Sequence, residues 1–268
     1  MDQIGFLGVG NMGGTLAACV CTVAGGVNVL VSSRTMEKAA QFAATHNCEA
    51  TTNETLAKQA NVIFLGVKPQ KVKQVLTSIA PVLAARKDRF VLVSMIAGMT
   101  TAQIAQMAGG DYPVLRIMPN TPALVGEGMI PYCGNAASTN DDTELLCELL
   151  KTAGKLAPLP EELIDAASAL CGCGPAFIYI LLEALSDAGV SCGLPRETAT
   201  QYAAQMVLGT AKMVLKTGKH PAQLKDAVCS PAGSTIVGVL SLEEYGFRAA
   251  AEQAVIAAYA RTQELGKA

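Results

Sequence analysis

The sequence predicts an α/β fold: a Rossmann-type, doubly wound, mostly parallel sheet, followed by an all-helical C-terminal dimerisation domain. Three observations carry that prediction. Short apolar, β-rich runs alternate with helical patterns up to Pro160, as βα units of a doubly wound sheet require. Several of these runs are continuously apolar rather than alternating, which suits strands covered on both faces. Beyond Pro160 the helical stretches lengthen and no convincing strand remains. The expected boundaries are 1–160 for the dinucleotide-binding domain and 161–268 for the helical one.

The elements follow in order. Ile4–Leu7 is a compact apolar run that ends in glycine, and Asn11–Ala24 reads as a helix. Residues 27–31 form a second strand and Met36–His46 a helix with apolar and small residues at helical spacing. Asn53 stands where an N-cap belongs, with an acid in the first turn of helix 54–60. Val62–Leu65 is a buried strand. Pro69 suits the first turn of a helix running to about residue 79. Residues 90–93 are a strand, and Thr100-Thr101-Ala102-Gln103 is a capping-box signature for the helix after it. Val114–Ile117, residues 129–133, a helix near 141–151 and residues 156–159 complete the sheet. In the second half, 161–190 reads as one helix or a kinked pair, 195–216 as another, and 248–265 closes the chain.

Composition excludes several classes. The chain of 268 residues has 20 Lys and Arg against 22 Asp and Glu, a net charge of −2 with no basic run, so nucleic acid is not an expected partner. Half the residues are hydrophobic, so spanning helices need testing. The uncharged stretch 3–33 is interrupted by Gly8, Gly10, Gly13, Gly25 and Gly26. The stretch 166–182 is interrupted by Gly172, Gly174 and Pro175, and 90–110 by Gly98 and polar residues. These read as joints between elements, and no membrane association is expected. The first three residues offer no positive charge before the apolar run, so a secretory signal is not expected and the cytoplasm is the expected location. Nine cysteines, an odd number, fit free thiols in a reducing compartment. Without a Cys-x2-Cys pair, and with only His46 and His220, no metal site is expected.

Gly8-Val9-Gly10-Asn11-Met12-Gly13 matches G-x-G-x-x-G between a strand and a helix, with a second strand about twenty residues on. Gly8 allows the tight turn, Gly10 lets backbone approach a pyrophosphate, and Gly13 permits close helix–strand packing. The helix start supplies free N–H groups and positive dipole. Leu7, Asn11 and Met12 belong to the same turn. The second strand ends in Ser32-Ser33-Arg34-Thr35 rather than in the acid that binds a ribose 2′-hydroxyl. Ser33 and Arg34 would instead bind a 2′-phosphate. NADPH is therefore the expected cofactor, with NADH left open as a second donor.

Four further segments appear in order: Val67-Lys68-Pro69-Gln70, Arg116-Ile117-Met118-Pro119-Asn120-Thr121-Pro122, Gly172-Cys173-Gly174-Pro175-Ala176-Phe177 and Ser230-Pro231-Ala232-Gly233-Ser234-Thr235-Ile236. With the glycine motif, they make the chain closely resemble the pyrroline-5-carboxylate reductase family along nearly its whole length. The resemblance implies NADPH-dependent reduction of 1-pyrroline-5-carboxylate to L-proline, the last step of proline biosynthesis, in a homodimer or higher homo-oligomer. It implies that 161–268 binds substrate as well as dimerising. It places Val67, Lys68, Pro69, Ala97, Gly98, Pro119 and Asn120 on loops at the carboxyl edge of the sheet, lining the nicotinamide half of the cleft, and brings Asn53 to the adenosine side. It makes 228–235 the substrate loop. Val228 opens that loop, Ser230, Gly233 and Ser234 hold the substrate carboxylate in a nest of N–H groups, and Thr235 places its hydroxyl near the imine nitrogen as the catalytic group. Glu161 aligns with an acidic position near the substrate.

Departures from the family pattern bear on these roles. The family usually has serines where Cys171 and Cys173 stand, tyrosine at Phe177 and glycine at Ala232. Cysteine is a weak donor and Phe177 has no hydroxyl, so no catalytic role is assigned to them. Neither histidine nor cysteine lies where a general acid belongs, which leaves positioning as the main catalytic effect. Two other readings fit the residues less well. A β-hydroxyacid dehydrogenase needs a base, usually a lysine in the first long helix of its second domain, and residues 165–196 contain no lysine. A redox-sensing NADPH-binding module would not need the segment Ser230–Thr235. Reduction of a related cyclic imine stays open.

Overall fold

A computed structural model of the chain describes residues 3–267. Met1, Asp2 and Ala268 lie outside the described residues, so the reading of the extreme N-terminus stays at the level of sequence. The first half builds β1 (Ile4–Leu7), α1 (Asn11–Ala24), β2 (Val29–Ser32), α2 (Met36–His46), β3 (Glu49–Ala50), α3 (Asn53–Gln59), β4 (Val62–Leu65), α4 (Pro69–Ala85), β5 (Val91–Ser94), α5 (Thr101–Ala108) and β6 (Val114–Ile117). Then come β7 (Gly128–Gly134), α6 (Asn140–Leu149) and β8 (Gly154–Pro158). The sheet order is β3-β2-β1-β4-β5-β6-β7-β8, the doubly wound order with its switch between β1 and β4.

Every neighbouring pair is parallel except β6 and β7. The exception has a local cause. No crossover helix separates those two strands, only the short 3₁₀ turn Thr121–Val125, so the chain must return antiparallel. The α6 crossover then restores parallel pairing between β7 and β8.

Alternate strand residues feed two cores. Ile4, Phe6, Val29, Val31, Val62 and Phe64 face one layer with Leu16 and Val20 of α1, and the Phe6 and Phe64 rings stack at 4.4 Å. Leu7, Leu30, Ile63 and Leu65 face the other with Leu56 of α3 and Val72, Leu76, Ile79 and Leu83 of α4. That double burial is why the strands read as continuous apolar runs.

Element ends differ from expectation in instructive ways. β2 begins at Val29 rather than 27, because Gly25 turns at φ 79° and Gly26–Asn28 forms a 3₁₀ turn that leaves Val27 exposed. The cap of α3 is Thr52, whose hydroxyl accepts from the Thr55 N–H, and Asn53 is the first helical residue. α4 continues past residue 79 to Ala85 with Pro81 inside it, since buried Ile79 and Leu83 extend the apolar stripe of Val72 and Leu76. The capping box at Thr100 and Gln103 forms as predicted. The short β3 was not foreseen.

After β8 the described residues contain only helices. A 3₁₀ turn at Glu161–Leu163 leads into α7 (Ile164–Ala167), a π-turn at Ser168–Gly172, and α8 (Gly174–Ser191). Next come α9 (Arg196–Thr217), α10 (Pro221–Ala227), α11 (Ser234–Glu244) and α12 (Phe247–Lys267). Gly172, Gly174 and Pro175 therefore do not interrupt the helical path as the sequence suggested. They widen it into a π-turn, and Glu161–Ser191 is long and apolar enough to cross a membrane by length and composition alone.

By packing, residues 161–173 go with the sheet. One compact unit holds the chain up to Cys173 and again from Ala258 onward; the other is Gly174–Ala257. Ile164 explains the later boundary, since it is fully buried with Met118 and Cys133 at the edge of the sheet.

Candidate active site

The glycine turn has the shape its sequence predicts. Gly8 adopts φ 103°, and a Cβ there would lie 2.7 Å from the Gly66 carbonyl oxygen. A Cβ on Gly13 would strike the carbonyl oxygen of Gly8. Gly66 presses on the same oxygen and was not foreseen. It closes a three-glycine contact between the ends of β1, β4 and the start of α1, visible only once β1 and β4 are neighbours. Around Gly10, by contrast, a Cβ would meet nothing within 4 Å. α1 starts at Gly10 with no side-chain cap, whereas Thr52, Thr100 and Thr139 cap α3, α5 and α6. The start of α1 is thus uncapped and open at Gly10, beside a carboxyl-end strand terminus, as a pyrophosphate site requires. The residues fit a dinucleotide.

The neighbouring positions sort by exposure. Arg34 is exposed with no ion pair among the described residues, Ser33 is half-buried, and both follow β2 directly. Lys68 is exposed with no ion pair among the described residues at the start of α4, and Asn53 is half-buried in the first turn of α3. Asn11 is exposed, and Met12 rests on the core. Val67 packs on the second core layer and Pro69 begins α4. Leu7 and Pro119 are buried, so only their backbones could meet a ligand.

Asn120 is engaged within the chain. It is buried, its Nδ2 donates to the Cys171 carbonyl at 3.0 Å, and its Oδ1 accepts from the Met129 N–H at 3.0 Å. Pro175 has no N–H to give the carbonyl four residues back, and the Asn120 amide takes that place. Asn120 thus fastens the π-turn to β7.

Glu161 is likewise engaged within its own unit. Its carboxylate accepts from the Thr101 N–H at 2.7 Å and from the Thr101 hydroxyl at 2.9 Å. Arg116, only 2% exposed, lies 3.8 Å from it and pairs with Asp165 at 2.5 Å. Sequence reading passed over this buried arginine, because one charge in an apolar strand run gives no sign of its partners. Burial, with the Glu161 charge adding, pushes the nearby Cys133 thiol up to about 11. Burial also raises the Cys171 thiol, so neither is a thiolate nucleophile near neutrality. Among the described residues no cluster could hold a metal ion.

The expected substrate loop lies in the unit Gly174–Ala257. Val228 ends α10 and is exposed. Pro231 and Ala232 make a turn closed by the Gly233 N–H donating to the Ser230 carbonyl at 3.1 Å, with Ala232 at φ 58°. Gly233 then precedes α11, which starts without a side-chain cap among the described residues, and Ser234 and Thr235 in its first turn are exposed. Such a helix start suits an anion, with a hydroxyl beside it.

Comparison with known proteins identifies the family of both parts of the chain. The model of the family described as pyrroline-5-carboxylate reductase dimerisation matches residues 161–265. That described as NADP oxidoreductase, coenzyme F420-dependent, matches residues 3–98. The chain is 40% identical to the pyrroline-5-carboxylate reductase of Pisum sativum, covering 98% of this chain and 95% of that one. It is 40% identical to that of Escherichia coli, covering 99% and 98%. Among solved structures, the pyrroline carboxylate reductase of Plasmodium falciparum with NADP bound superposes with a TM-score of 0.89 at 32% identity, covering 99% and 98%. That of Coxiella burnetii also superposes at 0.89, with 31% identity and 100% and 99% coverage. Similarity to a ketol-acid reductoisomerase, at TM-score 0.61 and 15% identity, concerns the fold alone.

Proposed function

The chain belongs to the pyrroline-5-carboxylate reductase family, and from that premise we propose how its residues reduce 1-pyrroline-5-carboxylate to L-proline. The observation that carries the reading is the pair of uncapped helix starts: α1 behind the glycine turn, and α11 behind the Ser230–Gly233 turn. One suits a pyrophosphate and the other a carboxylate.

In this reading residues 1–160 bind the dinucleotide, and 161–268 bind substrate and join the subunits of a homo-oligomer. Gly8, Gly10 and Gly13 admit the pyrophosphate, Ser33 and Arg34 take the 2′-phosphate, and Asn53 borders the adenosine. The loops at Val67–Pro69 and Ala97–Gly98 border the nicotinamide, while Pro119 and Asn120 support the neighbouring loop from within. When bound, NADPH supplies the hydride that the imine carbon accepts. Ser230, Gly233 and Ser234 hold the substrate carboxylate through hydroxyls and N–H groups. The imine reacts in its protonated form: as hydride adds to carbon the C=N π pair moves onto the ring nitrogen, which already carries its proton, and the Thr235 hydroxyl holds a hydrogen bond there. With no ionisable acid in the loop, rate comes mainly from orientation. Nine free cysteines support a reducing compartment, and we place the enzyme in the cytoplasm.

Purified protein mixed with NADPH and 1-pyrroline-5-carboxylate should consume NADPH and form proline in equal amounts. NADPH binding without proline formation would refute the substrate. Thr235→Val is expected to lower kcat by roughly tenfold, the value of about one hydrogen bond, with the KM for NADPH unchanged. An unaltered kcat would remove Thr235 from the mechanism.

A further inference from the structure

The loop between β5 and α5, residues 95–100, is held from two sides by parts of the chain far from it in sequence. On one side, Glu161 grips the start of α5 through the Thr101 N–H and hydroxyl, at 2.7 and 2.9 Å. Arg116, buried beneath, fixes that carboxylate from 3.8 Å while Asp165 holds Arg116 itself. On the other side the last turn of α12 lies directly on Gly98. A Cβ at Gly98 would meet the Gly266 nitrogen at 2.8 Å and the Thr262 carbonyl at 3.1 Å. A Cβ at Gly266 would strike the Gly98 carbonyl oxygen. Thr262 is buried there, and its hydroxyl donates to the Ala258 carbonyl at 2.9 Å. Two backbones meet with no side chain between them, at a loop whose Gly98 adopts φ 73°.

We propose that Glu161 and Gly266 are positioning residues for the nicotinamide: together they clamp the Ala97–Gly98 loop in the shape that receives the reactive end of the cofactor. This rests on the reading that the loop borders the nicotinamide. It reassigns Glu161, whose two oxygens are committed to Thr101, from contacting substrate to shaping the cofactor site. The clamp needs an acceptor at residue 161 rather than a charge, and the absence of a side chain at residue 266.

The test compares four full-length variants by KM for NADPH, KM for 1-pyrroline-5-carboxylate, kcat and thermal midpoint. Glu161→Ala should raise the KM for NADPH by roughly tenfold, as expected for losing both hydrogen bonds to Thr101. Glu161→Gln keeps an amide oxygen for the Thr101 N–H and should restore it to within about twofold. Gly266→Ala should raise the KM for NADPH with that of the imine unchanged. If Glu161→Gln is as impaired as Glu161→Ala and the imine KM rises in both, Glu161 meets substrate through its charge and the proposal is overturned. If Glu161→Ala and Gly266→Ala melt earlier but keep their KM for NADPH, the contacts are structural only and the proposal is equally overturned. Ala97→Leu separates the two levels. An unchanged KM for NADPH there removes the loop from the cofactor site, and the proposal falls with the reading beneath it. A raised KM there, with both clamp variants at wild-type values, removes the clamp alone.

Discussion

At the scale of single residues, Ala232 carries a local conflict. The turn Ser230–Gly233 has proline in its second place and a positive φ in its third, where glycine is the usual residue. Alanine at φ 58° is held against a preference of about 1–2 kcal/mol. Sequence comparison marked this position as a departure from the family, and the backbone angle supplies its physical meaning. Ala232→Gly should relieve the strain but add freedom to the unfolded chain, for a net gain of up to about 1 kcal/mol. Thermal unfolding would show a midpoint a few degrees higher, and a lower midpoint would mean that neighbouring packing, not the turn, sets the angle. The glycines at 8 and 13 were legible because their role is steric and local. Arg116 and Asn120 were not, because a buried polar residue and a ligand-facing one look alike until their partners across the fold are known.

At the scale of elements, the strand and helix pattern of the first half was legible because each strand is buried on both faces and each helix on one. Ends were less so: a cap belongs to whichever residue's hydroxyl reaches the third N–H, and Thr52 does so where Asn53 also qualifies. The π-turn was invisible for a related reason, since Gly172, Gly174 and Pro175 signal interruption and only the Asn120 amide shows how the helical path survives them. That substitution of donors can be measured. Asn120→Ala should cost about 2–3 kcal/mol, leaving the Met129 N–H and Cys171 carbonyl without their partner. Pro175→Ala returns an N–H near the Cys171 carbonyl, so the double variant should be more stable than the two single effects added together. Strict additivity in denaturant unfolding would show that Asn120 acts through Met129 alone.

At the scale of the whole molecule, the helical unit Gly174–Ala257 cannot be explained by one chain. Ser186, Ala199 and Ala203 are its only described residues that are buried, and two of those side chains are single methyl groups. Meanwhile Ile180 is 66% exposed, Leu215 72% and Leu240 61%, on three different helices. Leaving such side chains in water forgoes about 25 cal/mol for each Å² of apolar surface, and apolar surface in excess of what a monomer exposes marks interfaces. The excess hydrophobicity was visible in the sequence, and the match of residues 161–265 to a dimerisation family identifies its partner as a second copy. A closed two-fold interface repeats each contact, so one substitution acts twice. Ile180→Asp therefore places two carboxylates at the joint, each opposed by several kcal/mol of desolvation if the face is buried. The helix itself should tolerate the change, because the side chain meets little within its own chain. Light scattering at micromolar concentration should show the wild type as a dimer or larger assembly and the variant shifted to a smaller species, with far-UV circular dichroism unchanged. A variant that keeps the wild-type mass would place the interface on another helix face, and a wild type that is itself monomeric would leave the exposed leucines and isoleucines of this unit without the cover that the family match assigns them.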